Sequence, residues 1–191
     1  MTRILIIDGH PHTAPDHFIH ASADAYAAGA GGRHETRRIN VAELDFPLIR
    51  SQGEWKDGPV PPAISEAQDA LRWADHVVIL YPLWLGDVPA LLKGFLEQVA
   101  RPNFAFRYTD NGLPEKLLKG KSARIIVSMG MPALFYSLVY RAHSVKSLKR
   151  NVLGFVGFKP VRYSIIGAVE GKASHRVKWL ERLRRLGAAA A

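Results

Sequence analysis

Short apolar runs broken by turn residues recur along this chain, and stretches with helical spacing fill the intervals between them. Ile4-Leu5-Ile6-Ile7 lies between Arg3 and Asp8 and stops at Gly9-His10-Pro11. An uninterrupted apolar run of that length predicts a strand buried on both faces. Asp16 to Ala30 is Ala-rich with no internal Gly or Pro before Gly29, which predicts a helix ended by Gly29-Ala30-Gly31-Gly32. Glu35 to Asn40 predicts a second strand. That glycine stretch follows a helix and precedes a strand, so it is a cap and turn. The Gly-x-Gly-x-x-Gly dinucleotide fingerprint must instead follow a strand and open a helix.

Val41 to Pro62, with Pro47, Gly53, Gly58, Pro59, Pro61 and Pro62, predicts an irregular surface excursion able to cover a site or a partner subunit. Ile64, Ala67, Leu71 and Ala74 restore helical spacing, and His76 to Tyr81 predicts a strand halted by Pro82. Val88-Pro89 opens a helix carrying Leu91, Leu92, Phe95, Leu96 and Val99 on one face. Ala123 to Ser128 predicts a fourth strand. Ser144 is a candidate cap for a helix with Val145, Leu148, Val152 and Phe155 inward. Pro160 to Ile166 predicts a fifth strand, and Lys172 to Leu186 a closing helix. Such alternation means an α/β fold: a doubly wound, five-stranded parallel sheet with helices on both faces and right-handed crossovers.

Composition narrows the class. At 191 residues and 48% hydrophobic, the chain is expected to form one domain, 1–191. No apolar stretch is long enough to span a bilayer, and the N-terminus reads as a strand, not as a leader, so a cytoplasmic protein is expected. With no cysteine there is no disulfide, thiolate nucleophile or cysteine zinc site. The 26 Lys+Arg against 17 Asp+Glu give a formal charge of +9. Basic residues cluster in Lys116 to Arg124, Arg141 to Arg150 and Lys172 to Arg185, the last two on segments that also carry apolar residues at helical spacing. Solvated helix faces account for them, with a positive field that suits phosphorylated ligands.

In an open parallel sheet, ligands bind beyond the carboxyl ends of the strands. Three loops qualify. The first carries His10, Pro11, His12, Thr13 and His17 ahead of a helix N-terminus, where free N–H groups hold phosphate. The second, Pro82-Leu83-Trp84-Leu85-Gly86, is apolar yet in a loop, so its amides are expected to meet the edge of a flat heterocycle. The third has Gly130, then Tyr136 and His143. His10, His12, His17 and His20 raise the thought of a metal, but Asp16 is the only carboxylate evident as support, and no metal is expected. Gly120-Lys121-Ser122 has Glu115 where a phosphate loop needs its first Gly, and it precedes a strand. No Gly-x-Ser-x-Gly elbow supports a serine hydrolase.

The run from Tyr81 to Val99 resembles the flavin-edge loop and following helix of the NAD(P)H quinone oxidoreductases of DT-diaphorase type, which have a flavodoxin-like fold. Ile6 to Pro11 resembles that family's first strand and phosphate loop, and Ser128-Met129-Gly130 with Tyr136 its second flavin loop. The likeness extends from Ile4 to about Gly171. It implies a flavin phosphate at His10 to Phe18, including Thr13 and His17, and a ring edge at Pro82, Leu83, Trp84, Leu85 and Gly86. The pyrimidine side falls at Ser128, Met129, Gly130 and Met131. Tyr136 and His143 resemble the Tyr and His that sit over the ring and stabilise charge at its N1/O2 edge. The implied activity is ping-pong hydride transfer from NAD(P)H through the flavin to a quinone or similar acceptor, in a homodimer. The family's longer, FAD-binding members have a C-terminal extension that this chain lacks, so FMN is expected, with FAD as the alternative.

Ala14-Pro15-Asp16-His17-Phe18 stands where the family has Ser/Thr and Asn, so the phosphate contacts are expected to centre on Thr13 and His17. Tyr136 and His143 are one residue further apart than in the family. Similar small members are ancillary regulators of glutathione-gated potassium efflux systems, which makes a membrane transporter the alternative partner. A basic nucleic-acid-binding module is the weaker alternative, since no recognition motif accompanies the charge, and no nucleic acid is expected as partner.

Overall fold

In the computed structural model, which describes residues 1–109 and 111–191, the apolar runs become five parallel strands. Arg3–Asp8 (β1) leads to helix Phe18–Ala30 (α1) and strand Glu35–Asn40 (β2). The excursion is less irregular than its composition implies, holding a 3-10 turn at Val41–Glu43 and a short helix, Gln52–Asp57 (α2), capped by Ser51. Pro62–Trp73 (α3), His76–Pro82 (β3) and Ala90–Val99 (α4) follow, each within two residues of the segment read from the sequence. Phe106–Tyr108 (β4) and Pro114–Lys116 (β5) form an antiparallel pair outside the main sheet. Three-residue strands are too short to show a period, which is why the sequence does not announce them.

Ser122–Ser128 (β6) enters a region where structure and expectation differ. Helix Ala133–Leu138 (α5) was not anticipated, because its apolar residues face outward and form no buried stripe. The next helix starts at His143, with Ala142 and not Ser144 at the cap. It runs as His143–Ser147 (α6), a π-helical turn at Leu148–Leu153, and Gly154–Val156 (α7). Ser144 is buried, with its hydroxyl bonded to Tyr136 and so not free to cap. Val161–Ile166 (β7) and Ala173–Ala188 (α8) complete the chain.

The sheet order is β2-β1-β3-β6-β7, with Ile7 beside both Ile39 and Ile79, and Ile79 beside Ile125. Alternate strand residues feed two cores. Leu5, Ile7, Val77, Ile79, Ile125 and Val127 pack with Leu71, Phe95 and Val145 from the helices on one face. Ile4, Ile6, Val78, Leu80 and Ile126 pack with Ile19, Tyr26 and Leu183 on the other. Each such side chain, taken fully out of water, contributes about 1.5–3 kcal/mol. On the second face α1 and α8 come close enough that a Cβ on Gly187 would lie 2.0 Å from the Tyr26 carbonyl oxygen, so only glycine fits there. The chain winds from β1 outward to β2 and then back across to β3, which opens a crevice between the loops that leave β1 and β3.

Candidate functional site

The first wall of this crevice is the loop from Gly9 to His17. Gly9 N–H continues the sheet by donating to Leu80 O at 2.7 Å; its missing Cβ would meet Leu92 at 2.6 Å, so the loop leaves the sheet tight against α4. Beyond it four imidazoles gather. His10 stacks on His17 with ring centroids 3.9 Å apart and meets His20 edge-on at 5.1 Å. His12 Nδ1 lies 3.2 Å from His17 Nε2. His10 is buried, and burial lowers its pKa from the ordinary imidazole value; the charges of His17 and His20 add to this, while a bond to the His12 backbone and Asp8 oppose it.

Beneath the imidazoles lies a polar network that the sequence did not reveal. Asp8, whose side chain is wholly buried at the end of β1, accepts from His20 Nδ1 at 2.7 Å, from an Arg38 amino group at 2.6 Å and from His10 N–H at 3.2 Å. His20 Nε2 lies 2.9 Å from His12 O. Both His20 nitrogens thus face oxygen acceptors. Arg38 also binds Asp24 and donates from Nε to Asn40 Oδ1 at 2.7 Å. The usable signals were an acid ending an otherwise apolar strand, and His17 and His20 three residues apart on one helix face. Pairing with Arg38 on β2 is a long-range fact. Asp8, His10, Thr13, His20, Arg38 and Glu43 share the lining of a cavity of about 240 Å³.

α1 begins at Phe18, two residues later than expected, with His17 at the cap making no side-chain bond to the helix. The N–H groups of the first turn are therefore open to a ligand. Thr13 lies in the cavity wall, whereas the Phe18 ring packs against the second core, leaving its backbone as its only group for the site.

The second wall is the Pro82–Gly86 loop. Leu83 N–H donates to Ser128 O at 2.8 Å and its side chain packs on the core. Trp84 and Asp87 exchange both backbone bonds at 2.9 Å, closing a two-residue turn with Leu85 at φ 47° and Gly86 at φ 80°. Positive φ at both central positions is the type I′ hairpin geometry. The Trp84 amide, expected to be free, is thus spent inside the turn. The Leu85 and Gly86 amides have no acceptor among the described residues. Leu85 is fully exposed, and a Cβ on Gly86 would meet nothing within 4 Å. The Trp84 ring stands edge-on to His10 with centroids 6.0 Å apart, so the first two loops meet.

In the third loop the structure admits less than the sequence suggested. Ser128 and Met129 are buried, with Met129 N–H bonded to Ile166 O at 2.9 Å, and Met131 packs on the core while its carbonyl accepts from Ala168 N–H. Only Gly130 is open, with the Glu170 carboxylate 3.2 Å from where its Cβ would stand. Tyr136 and His143 are kept apart by depth. Tyr136 is wholly buried, its hydroxyl 2.9 Å from Ser144 Oγ, near the Tyr81 hydroxyl, which is buried without a partner. Burial raises the Tyr81 phenol pKa well above its ordinary value. His143 is exposed and shares the rim with Tyr140, ring centroids 6.5 Å apart. His143 Nδ1 lies 2.8 Å from Tyr140 O, a contact in which the nitrogen must donate, so Nε2 is the basic nitrogen. Arg141 and Ala142, at φ 51° and 47°, make the strained corner between them.

These loops fit a flavin mononucleotide: imidazoles and helix N–H groups for a phosphate, two free turn amides and a tryptophan for a flat ring, and a glycine where a side chain would block approach.

Comparison with known proteins agrees. A model of proteins with the flavodoxin-like fold matches residues 2–187. An "FMN-dependent NADH:quinone oxidoreductase 3" from Bacillus cereus is 27% identical over 191 residues, which cover 90% of this chain and 88% of that protein. An "FMN-dependent NADH:quinone oxidoreductase" from Bordetella avium is 37% identical over 112 residues, 58% of this chain and 52% of that one. The solved NAD(P)H:quinone oxidoreductase from Methanothermobacter marburgensis superimposes with a TM-score of 0.83 at 27% identity, covering 98% of both chains. With the sheet order, the crevice at its carboxyl edge and a family match over nearly its whole length, the chain belongs to the flavodoxin-like fold family.

Proposed function

We propose that this protein is an FMN-dependent NAD(P)H:quinone oxidoreductase. The observation that carries the reading is the type I′ turn at Trp84–Asp87, which leaves two amides free beside an exposed indole, one loop away from the histidine-lined phosphate site. The relatives named for this activity support it.

Bound flavin supplies the two-electron chemistry, with NAD(P)H as donor and a quinone as acceptor. The rest falls to the chain. His12, Thr13 and His17, with the first-turn amides of α1, hold the phosphate. Leu85 and Gly86 amides fix the ring edge, and Trp84 shields it from water. His143, with Nδ1 fixed as donor by the Tyr140 carbonyl, holds or releases a proton at Nε2 where the acceptor oxygen is reduced. Tyr136, bonded to Ser144, holds the backbone that carries this rim.

A homodimer belongs to the same reading. A groove of about 590 Å³ along α4, lined by Trp55, Phe106, Tyr108 and Phe155, is the aromatic face that suits a second copy. Sedimentation at micromolar concentration is expected to show a dimer.

The purified protein is expected to be yellow, to release FMN on denaturation, and to catalyse NADH- or NADPH-dependent reduction of a water-soluble benzoquinone with parallel-line steady-state kinetics. A colourless protein that takes up neither FMN nor FAD in a titration overturns the reading.

A further inference from the structure

Charge is distributed unevenly along this chain. Between Glu115 and Glu170 there are ten of the 26 Lys+Arg and none of the 17 Asp+Glu, so the remainder is close to neutral. The same stretch carries a close run of exposed apolar residues. On and just after α5, Leu134, Phe135, Leu138, Val139 and Tyr140 are 70%, 49%, 67%, 61% and 43% exposed. α5 buries Tyr136 and turns its aliphatic residues outward, and clustered exposure of this kind marks a contact surface. The strained Arg141–Ala142 corner follows at once, and Arg141, Lys146 and Arg150 are exposed on the next turns.

The patch lies beside the mouth of the crevice. Leu83 N–H bonds Ser128 O, so the turn bearing exposed Trp84 and Leu85 leaves the sheet next to the loop that leads into α5. Apolar side chains able to enter an acyl layer, followed in the chain by the exposed cations Arg141, Lys146 and Arg150, complement an anionic lipid surface, with the acids Asp87 and Glu170 lying on the crevice side. Nucleic acid would use the cations and leave the aliphatic residues in water. A two-fold seam of this patch with itself would set like charges against one another. None of the described helices is long and apolar enough to cross a membrane, so contact is with the bilayer surface.

We infer that α5 and the basic corner after it dock this protein on an anionic bilayer, with the crevice mouth turned toward the lipid, so that its acceptor is a quinone dissolved in the membrane. The docking rests on the patch alone; the identity of the acceptor rests on the reductase reading. In that step NADH gives a hydride and the medium a proton, and the quinone becomes a hydroquinone.

The test is co-sedimentation of the flavin-loaded protein with vesicles of phosphatidylcholine, alone or with about one-third phosphatidylglycerol. Binding is expected only to the anionic vesicles and is expected to fall steeply with salt. A Leu138→Glu/Val139→Glu double variant, and separately an Arg141→Glu/Lys146→Glu/Arg150→Glu triple variant, should each weaken it about tenfold or more. Both change exposed side chains, and retained flavin colour and melting temperature report that they fold. Both should also keep turnover of a water-soluble quinone while losing that of a long-chain quinone in anionic vesicles. Equal binding to both vesicle types, or full binding by the folded variants, overturns the inference. So does a double variant that turns a dimer into a monomer with vesicle binding intact, since the patch would then belong to a second copy. A colourless protein that still binds anionic vesicles sinks the reductase reading and leaves the docking standing.

Discussion

The two edges of the central sheet are built from the same five strands and end in opposite ways. At the amino edge, side chains tie neighbouring strands together: Arg3 makes three bonds to the Asp75 carboxylate at 2.7–3.1 Å, Lys121 reaches the carbonyls of Arg72 and Ala74, and His76 Nδ1 meets Ser122 Oγ at 2.7 Å. The Arg3 guanidinium holds the Asp75 carboxyl at about 2, well below the usual carboxylate range. At the carboxyl edge the backbone keeps its register for one residue past the strands, at Gly9, Leu83 and Met129, and then diverges into loops with unspent amides, exposed Trp84 and Leu85, and positive-φ backbone. One edge secures the fold, and the other keeps unsatisfied groups for a ligand. That division lets loops change chemistry without unpicking the sheet.

If the division is real, changes at the amino edge should alter stability and spare flavin binding, with the reverse at the carboxyl edge. The largest effect is expected from pH at the amino edge. Burial, reinforced by Arg124, Arg162 and His34, pulls His76 from 6.5 to about 4. The unfolded chain takes up that proton near pH 6.5 and the native state refuses it until about pH 4, so the unfolded state binds more protons and stability falls as pH drops across that window. The loss is on the order of 3 kcal/mol by pH 4. Urea denaturation between pH 7 and 4 should show it, and His76→Asn should flatten the curve with FMN affinity unchanged.

Asp8 is the carboxyl-edge residue that crosses the division, since its buried carboxylate holds both His20 and Arg38. Asp8→Asn is expected to cost roughly 2 kcal/mol in denaturant, less than removal of a fully buried partner because Arg38 is partly exposed. Stability unaffected by Asp8→Asn would show that the network serves the ligand alone. Next is Gly86→Val. A β-branched residue at φ 80° strains the turn by about 1–2 kcal/mol. FMN titration should show about tenfold weaker binding, and the same strain should lower the melting temperature of the apoprotein by only a few degrees, less than the loss at Asp8. The smallest effect is expected from Thr13→Ala, a several-fold loss of FMN affinity that disappears when riboflavin, which lacks the phosphate, replaces FMN. An equal loss for both ligands would move Thr13 away from the phosphate.

How much was legible follows the range of the interactions. Ile4–Ile7, Val77–Leu80 and Ile125–Val127 announced buried strands because every residue of a doubly covered strand must be apolar, and the Leu92–Val99 stripe announced α4 in the same way. The crevice loops were legible for the same local reason, since Gly, Pro and His after an apolar run cannot continue it. α5 escaped because its apolar face is turned outward, and β4 and β5 because they are too short to show a period. Resemblance set Tyr136 over the ring, whereas in the fold it is Tyr140 that stands exposed at the rim and Tyr136 that is buried. Depth separates them, and depth depends on how Ala142 and Ser144 pack beneath the corner.

The sequence by itself determined the alternation of strands and helices, and hence the parallel sheet and the edge at which a ligand must bind, because burial period and turn chemistry are written residue by residue. Tertiary structure decided which groups at that edge remain free. It spent the Trp84 amide in a turn, buried Tyr136 on Ser144, joined Asp8 to Arg38 across two strands and left α5 bare. Each of these is a competition between partners distant in the chain, settled only when the fold brings them within hydrogen-bonding or packing distance.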